Sequence, residues 1–419
     1  MTGSIPSHAH AELAATAASD RAPALLPARI LQTDAEALLA ARRLAEKAAA
    51  GAAHRDRARH LPWREIEEFS SSGLGGITIP RAYGGPKLSF VTLAEVFRLI
   101  SAADPSLGQI PQSHFGILAL IEAAADDQLK RRIYASVLGG ARIGNAGPER
   151  NSKHTLDMRA RLERVGDGYR LTGTKFYSTG ALFAHWVSAK AIDDAGRPVL
   201  ALIPRGSPGL TIVDDWSGFG QRTTASGTVL FERTPVAAEN VVPLTPLSER
   251  PTLQGATSQL MQAAIDAGIA RAALDDTIAF VRGRSRPWID AKVERAGDDP
   301  YVIADIGRLQ IDLHAAEALL RKAAELLDRT AAAPVDAAAA ARASIAVAEA
   351  KVLATEIALQ ASEKLFELAG SRATLAEFNL DRHWRNARTH TLHDPVRWKY
   401  HAIGNYRLNG ALPARHSWI

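Results

Sequence analysis

The pattern of apolar and polar positions divides the chain into three parts, which predict helices, then strands, then helices again. In the first part, residues 29–140, apolar side chains recur at helical spacing, as Leu93, Val96 and Phe97 do. We expect a helical domain here. The preceding residues, 1–28, are rich in Ala and Pro and predict a flexible N-terminal arm.

An alternating pattern begins near residue 141 and predicts β-strands. Met158, Ala160 and Leu162 alternate with charged neighbours, GDG follows as a turn, and YRLTGTKFYSTG fits a returning strand. Four further apolar runs are separated by Gly, Pro and Asp clusters, namely HWVSAKAI, PVLALIP, LTIVDDW and GTVLFER. We therefore expect a central antiparallel β domain over residues 141–248.

The last part of the chain, residues 249–419, has helical character. Asp336 can cap a helix that continues without proline to Gly370, which stands where helices commonly end. A helix of more than thirty residues is long for a globular protein, and its many alanines allow close packing against other helices. We expect a helix bundle that also forms an oligomer interface.

Composition narrows the classes of function. The chain has 419 residues, no cysteine and a net charge of +5. The lack of cysteine excludes thiolate chemistry and suits a reducing compartment, so we expect a cytoplasmic protein. No apolar run is long enough to span a membrane, and interspersed acids and bases give no support to nucleic-acid binding.

A histidine-rich segment, residues 382–406, is the strongest candidate for chemistry. It contains His390 and His393, with Asp394 beside the second, in a region rich in Arg and Lys that suits an anionic ligand such as phosphate. A metal site would need a third ligand, and neither a cysteine nor an HExxH motif supplies one. From the residues alone, two interpretations of these histidines remain open: they are packed structural residues, or one of them donates a hydrogen bond to a cofactor.

Three motifs follow one another along the chain: GTKFYSTGA, GFGQRTTASGTVLFERTPVAAENVV and FELAGSR. Together with the order of helices, strands and a long-helix bundle, they resemble the acyl-CoA dehydrogenase fold. The resemblance implies an α+β protein with an N-terminal helical domain, a central antiparallel β domain and a C-terminal four-helix bundle. It also implies a homotetramer.

One branch of this fold fits better than the dehydrogenases. A dehydrogenase takes the α-proton of its substrate with a carboxylate, usually a glutamate in the C-terminal segment or in the first helix of the last domain. No glutamate occurs in residues 250–293 or after Glu377, and THTLHDP stands in the C-terminal position. The segments RNARTHTLHDP, SRPW and IGNAGPERNS instead resemble the flavin-dependent monooxygenases of the dibenzothiophene monooxygenase family and the bacterial sulfur-acquisition oxidoreductases.

That resemblance implies a two-component enzyme. It would use O2 and reduced FMN, supplied by a separate flavin reductase, to oxygenate the sulfur of a small sulfide, sulfoxide or sulfone through a flavin C4a-hydroperoxide. GFGQRT lacks the third glycine of a nicotinamide fingerprint, which agrees with an outside source of electrons. FAD is the alternative cofactor. The alternative functions are an acyl-CoA dehydrogenase with Asp394 as base and an inactive flavin- or partner-binding scaffold.

The resemblance also assigns roles to residues. His393 would hydrogen-bond the oxygen adduct, with His390 in support, and Asn145 and Thr179 would lie on the flavin and oxygen side. Strand alternation would place Ser178 on the face opposite Thr179. The implied cofactor-binding residues are Arg286 and Arg372 for the FMN phosphate, Trp216, Tyr177, Ser178, Asn145 and Thr179 for the flavin, and Ser371.

The predicted substrate pocket departs from the family pattern. Gln109 and Ser113 stand where the dibenzothiophene enzyme has a histidine and a tyrosine, which predicts a more polar and roomier pocket. His114 would line this pocket or would be a packed helix residue. We therefore expect a small organosulfur substrate.

Overall fold

The computed structural model describes residues 21–154 and 157–419, and its first part is helical. Capping side chains begin several helices, as Asp104 does by accepting hydrogen bonds from the backbone N–H groups of Ser106 and Leu107. The helices are α1 (Asp34–Ala58), α2 (Trp63–Ser71), α3 (Phe90–Ala103), α4 (Pro105–Gln109), α5 (Gln112–Ala124) and α6 (Asp127–Leu138).

Most of the predicted arm, residues 1–20, lies outside the described residues. Its remainder, residues 21–28, has no regular secondary structure and runs along the helical part. The guanidinium of Arg21 lies 4.6 Å from the centre of the Trp63 ring. This end of the arm is therefore in contact with α2.

The central part is one eight-stranded sheet. Its strands are ordered β6-β7-β3-β2-β4-β5-β8, and β1 pairs with β4. The GDG turn connects β2 and β3 as the sequence predicts, with β2 running antiparallel to β3. The strands are β1 (Ile143–Ala146), β2 (Arg161–Val165), β3 (Gly168–Lys175), β4 (Trp186–Asp193), β5 (Pro198–Pro204), β6 (Leu210–Ile212), β7 (Val229–Val236) and β8 (Val241–Pro243).

The prediction of a purely antiparallel domain is wrong, because the sheet is mixed. Strand β4 runs parallel to both β1 and β2, with Ile143 opposite Trp186 and Arg161 opposite Ile192. Tight turns enforce antiparallel pairing only between strands that follow each other directly, whereas β4 is joined to β1 and to β2 through longer connections.

The C-terminal part is built around α8, whose first half is almost entirely buried. Helices α9 and α10 pack beside it, and α3 from the N-terminal part lies along another side. Asp336 caps α10 as predicted, by accepting a hydrogen bond from the Ala339 N–H. The helices are α7 (Thr245–Glu249), α8 (Gln254–Gly283), α9 (Pro300–Ala331), α10 (Ala337–Ala369), α11 (Asp381–His390) and α12 (Arg397–Asn409). None of the described helices has the length and apolarity needed to cross a membrane.

The predicted four-helix bundle differs from the observed one in where its helices come from. Three of the described C-terminal helices, α8, α9 and α10, are long. The fourth helix of the bundle is α3 from the N-terminal part, which packs along α8. Helices α11 and α12 are shorter and pack on α10. The bundle thus joins the first and last parts of the chain.

A buried ion pair fixes α1 to the start of α4. Arg55 Nη2 and Nε lie 2.8 and 3.0 Å from Asp104 Oδ2, and both side chains are about 6% exposed. Because the same carboxylate caps α4, the pair locks two helices at one point.

We predict that Arg55→Met destabilises the protein by about 3–5 kcal/mol, since it leaves the Asp104 carboxylate buried and uncompensated. The measurement is urea unfolding followed by tryptophan fluorescence. Arg131→Met is the matched control, because Arg131 pairs with Asp127 on the exposed face of α6, and it should cost less than about 0.5 kcal/mol. Equal losses in the two variants would contradict the role given to the buried pair.

Candidate active site

Hydrogen bonds join all three parts of the chain around one site. His390, at the end of α11, has Nε2 3.1 Å from Gln109 Oε1 on α4. Ser113, four residues further along the chain in α5, donates its hydroxyl to the Thr179 carbonyl at 3.2 Å. The end of α11 is thereby connected to the segment that follows β3.

The same connection continues through the loop before β7. Thr179 Oγ1 lies 2.7 Å from Ser226 Oγ, which in turn lies 2.7 Å from Thr224 Oγ1. Thr224 donates to the Gln221 carbonyl at 3.0 Å, and Gln221 N–H donates to Asn386 Oδ1 at 2.7 Å. Asn386 lies on α11 one turn before His390, and Gln109 lies four residues before Ser113, so the hydrogen bonds and these two short stretches of chain together form a closed set. We call this set the polar ring: His390, Gln109, Ser113, Thr179, Ser226, Thr224, Gln221 and Asn386.

The loop before β7 packs directly on α11. A Cβ atom built on Gly220 would lie 1.8 Å from the Arg385 carbonyl oxygen, so only glycine allows this approach. The GFG of the second sequence motif therefore serves to bring the polar ring together.

His390 is buried and paired with an aspartate that the sequence analysis missed. Its Nδ1 lies 2.5 Å from Asp266 Oδ1 on α8. Lys351 Nζ and Thr355 Oγ1, both on α10, donate to Asp266 Oδ2 at 2.6 and 2.7 Å. A sequence signal existed, because Asp266 is the only charged residue among residues 254–270.

The charges in this cluster are balanced. Burial alone would raise the pKa of Asp266, but Lys351 and His390 outweigh it and hold that pKa at about 2. Burial also lowers the pKa of His390, against the attraction of Asp266. The aspartate is therefore ionised and His390 neutral at pH 7. With Nδ1–H donated to Asp266, Nε2 is an acceptor to which Gln109 can turn its amide NH2 group.

His393 forms a second pair of the same kind but is open on one side. Its Nδ1 lies 3.0 Å from Asp394 Oδ1, and Lys399 Nζ lies 3.1 Å from Asp394 Oδ2. Burial would raise the pKa of Asp394, but His393 and the nearby lysines hold it far below its ordinary value. The His393 side chain is 35% exposed and lines a cavity of about 610 Å³ together with Trp398 and residues 411–414.

Four predicted flavin-side residues lie together in the wall formed by the sheet. The Asn145 N–H donates to the Thr179 carbonyl at 3.1 Å, and its side-chain amide donates to the Tyr177 carbonyl at 3.4 Å. The Tyr177 ring is half-exposed and meets the Trp216 ring edge-on, with centroids 6.1 Å apart. Asn145, Thr179, Tyr177 and Trp216 thus form an aromatic surface edged with amide and hydroxyl groups.

The backbone of this wall is strained. Tyr177, Gln221 and Ala225 have φ angles of 57°, 51° and 48°, a region that bulky residues rarely adopt. Strand β3 ends at Lys175, so the left-handed residue at 177 cancels the strand alternation expected around Ser178. Such strain is maintained only where the surrounding structure enforces it, and it is common at ligand sites.

Several buried polar groups next to the wall lack a partner within the described part of the chain. They are the Ser178 hydroxyl, the Thr389 hydroxyl and both amide atoms of Gln221. Buried polar groups are almost always hydrogen-bonded, so these positions fit a ligand that carries both donors and acceptors. A flavin ring has an apolar face and a polar edge, which suits the aromatic surface and these groups together.

The predicted phosphate-binding arginines lie elsewhere. The Ser285 hydroxyl donates to the Ala369 carbonyl at 2.8 Å, which places Arg286 beside the turn that carries Arg372. Both arginines are exposed, as is Ser371. Gly283, where α8 ends, is 17 residues after Asp266, or about 26 Å along the helix. One chain therefore does not bring these residues to the polar ring.

Comparison with known proteins relates both ends of the chain to one family and most of its length to characterised enzymes. Residues 33–141 match the family described as acyl-CoA dehydrogenase, N-terminal domain, and residues 260–398 match its C-terminal domain. Dibenzothiophene monooxygenase from Rhodococcus erythropolis is 36% identical over 396 residues, which cover 91% of this chain and 95% of that protein.

The chain belongs to the FMN-dependent monooxygenases of the acyl-CoA dehydrogenase fold.

Two solved structures of these monooxygenases superpose on nearly the whole chain. FMN-bound TdsC from Paenibacillus sp. A11-2 has a TM-score of 0.87 and 33% identity, over 91% of this chain and 100% of that one. The methanesulfinate monooxygenase MsuC from Pseudomonas fluorescens has a TM-score of 0.84 and 31% identity, over 91% and 99%.

One predicted pocket residue of this monooxygenase has a different environment. His114 Nε2 lies 2.8 Å from the Gly75 carbonyl oxygen, and the Ile143 N–H donates to Nδ1 at 3.1 Å. Both ring nitrogens are used and the side chain is buried, so His114 is a packed helix residue rather than a pocket residue. Gln109 and Ser113, by contrast, belong to the polar ring.

His114 should make the stability of the monooxygenase depend on pH. Burial lowers its pKa to about 4 from an ordinary value of 6.5, so the unfolded state binds an extra proton between these two values. Stability should fall by about 3 kcal/mol as the pH decreases from 7 towards 4, and His114→Gln should remove this part of the loss. Urea unfolding of both proteins across this pH range is the measurement. His314→Gln, on the exposed side of α9, is the control. The same pH dependence in the wild type and the His114 variant would contradict this assignment.

Proposed function

We propose that the chain is the oxygenase of a two-component system, which uses reduced FMN and O2 to oxygenate the sulfur of a small organosulfur compound. A separate flavin reductase supplies the reduced FMN, and a cytoplasmic location is part of the proposal. The observation that carries it is that both aspartates beside the site histidines are ionised and already paired.

That observation argues against the dehydrogenase alternative. A dehydrogenase needs a free carboxylate to remove a proton from its substrate. Asp266 is paired with Lys351 and Asp394 with Lys399, and both pKa values are held well below the ordinary range. Carboxylates held in this way are weak bases. Each instead orients a histidine.

The residues of the wall suit binding of FMN. The Tyr177 and Trp216 rings offer an apolar surface for the ring system, while Asn145, Thr179 and the unpartnered Ser178 hydroxyl offer hydrogen bonds to its polar edge. When bound, reduced FMN supplies the two electrons that divide O2 between the substrate and water. TdsC, with the same fold, has been solved with FMN bound.

The two histidines suit different tasks. His393 is open to the cavity through Nε2 and can hold or deliver a proton there, because Asp394 fixes its Nδ1–H. His390 is buried and neutral, and it positions the Gln109 amide in the polar ring. Helix α11, which carries His390, keeps water from the side of the site that faces α8.

A second copy of the chain supplies the phosphate-binding arginines in this proposal. Arg286 and Arg372 are exposed and too far along α8 to serve the polar ring of their own chain. Large apolar side chains near them are also exposed: Trp288 by 70%, Ile289 by 82% and Tyr301 by 81%. Contact with another copy would cover these side chains, in agreement with the expected homotetramer.

We predict that His393→Ala retains FMN affinity but uncouples the reaction. Purified protein is supplied with FMN reduced by an unrelated reductase, and oxygen uptake, hydrogen peroxide and ¹⁸O in the product are measured with small sulfides and sulfoxides. The wild type should form oxygenated product, and the variant should turn most of its oxygen uptake into peroxide. His314→Ala serves as the control. A fully coupled His393→Ala enzyme would refute the role of this residue. Absence of product from the wild type, together with bleaching of bound flavin by an acyl-CoA, would favour the dehydrogenase.

Loss of one guanidinium contact should weaken FMN binding. For Arg372→Ala we expect a loss of about 1.5–3 kcal/mol in FMN affinity, measured by fluorescence titration, whereas Arg43→Ala on the exposed side of α1 should bind normally. Because the arginines and the ring would come from different chains, co-expressed Arg372→Ala and His393→Ala chains should regain activity in mixed oligomers. If mixing restores nothing, the two sets of residues do not act across copies.

A further inference from the structure

Gln262 is a buried amide without a partner, and none of the roles described above uses it. It lies in the middle of α8, its side chain is fully buried, and neither Oε1 nor Nε2 has a hydrogen-bond partner among the described residues. An amide left in this state costs roughly 1–3 kcal/mol. A glutamine that only filled space would be replaced at a gain in stability by an apolar residue of the same shape.

The neighbours of Gln262 on its helix show where the amide lies. Ser258, one turn before it, accepts a hydrogen bond from Gln112 Nε2 on α5 at 3.1 Å. Asp266, one turn after it, pairs with His390 on α11. Residues four apart share a helix face, so the Gln262 amide lies between α5 and α11. His390 contacts Gln109, and Gln112 precedes Ser113 in the chain, so this face of α8 is the one turned towards the polar ring.

The charged group nearest to this amide on its own helix face is already paired. Asp266 is balanced by Lys351, and His390 is neutral because burial lowers its pKa. Gln109 and Ser113 are neutral hydrogen-bonding groups. A buried anion would need an unpaired cation beside it, so the site suits a neutral ligand that accepts a hydrogen bond.

We propose that Gln262 binds the oxygen of a neutral sulfoxide and thereby sets the preference of the enzyme for a sulfoxide over a sulfide. This deepens the proposed function and depends on it. A sulfoxide has a strongly accepting oxygen for the amide N–H and keeps one lone pair on sulfur. A sulfide lacks the oxygen, and a sulfone lacks the lone pair that oxygenation of sulfur requires.

The overall reaction balances. The sulfur lone pair forms a new S–O bond with one atom of O2 as the O–O bond breaks, and the other oxygen atom leaves as water. FMNH2 provides two electrons and two protons and becomes FMN. Sulfoxide, O2 and FMNH2 thus give sulfone, water and FMN, while Gln262 holds the oxygen that is already on sulfur.

The test compares Gln262→Met, which keeps the length of the side chain but removes both hydrogen-bonding groups, with the wild type. The substrates are methyl phenyl sulfoxide and methyl phenyl sulfide. We expect the ratio of their kcat/KM values, sulfoxide over sulfide, to exceed one in the wild type and to fall at least about tenfold in the variant, mainly through KM for the sulfoxide. FMN affinity should be unchanged. The melting temperature should stay the same or rise, since no protein partner is lost.

Gln259→Met is the matched control. Gln259 is equally buried on the same helix, but its NH2 group donates to the Ser417 carbonyl at 3.0 Å. Its replacement should lower the melting temperature and leave the sulfoxide-to-sulfide ratio as it is. A fall in stability of the same size in Gln262→Met would show that Gln262 has a structural partner, and an unchanged ratio would refute its role in specificity.

Calorimetric titration separates this inference from the proposed function. Oxidised, FMN-loaded protein is titrated with methyl phenyl sulfoxide, which needs no turnover. If the wild type binds the sulfoxide and Gln262→Met binds it about tenfold more weakly, the role of Gln262 is supported, whether or not product forms. If binding behaves in this way but no product forms, only the proposed function is wrong. Methanesulfinate is an anion. If it binds more tightly than the sulfoxide, the conclusion that this site takes a neutral ligand is wrong.

Discussion

The site depends on the buried pairing of Asp266 with Lys351. An ionised carboxylate inside a helix bundle is tolerated only when its charge is balanced and its oxygens are bonded, and here α10 provides both the lysine and the Thr355 hydroxyl. The remaining oxygen holds His390 and with it the end of α11. A single balanced charge thus fixes three helices relative to one another at the place where the sheet loops meet them.

The two histidine–aspartate pairs have similar geometry but differ in how far their surroundings bury the histidine. His390 is enclosed, its pKa is lowered by burial, and its neighbours use both ring nitrogens, so it acts as a fixed part of the scaffold. His393 lies three residues further on, beyond the end of α11, and remains open to a cavity. Sequence spacing alone gives the two residues equal standing. Burial decides which of them a ligand can reach.

Local signals in the sequence predicted much of the fold. The cap at Asp336, the GDG hairpin and the helical spacing of α3 depend on neighbours in the chain, and the structure has them as expected. The parallel pairing of β4 depends on long connections and could not be derived from local alternation. The density of histidines located the segment that carries His390, and the likeness to known motifs located the Gly-rich loop and the strand end, which also belong to the polar ring.

Tertiary partners account for what sequence reasoning missed. Asp266 and Lys351 are 85 residues apart, and nothing local in the sequence links them. His114 was a plausible pocket residue until its two backbone partners were known. The arginines were recognised by motif, but their distance from the polar ring is a property of the length of α8 that a motif does not express.

The polar ring has a consequence for how such enzymes diverge. Some of its bonds use main-chain groups, namely the carbonyls of Thr179 and Gln221 and the Gln221 N–H, which side-chain replacement does not remove. Others join exchangeable side chains, such as Gln109 with His390 and Thr179 with Ser226. Side-chain replacements can therefore change one part of the ring while its main-chain bonds persist, so the geometry of the loops can outlast changes in the groups that line them.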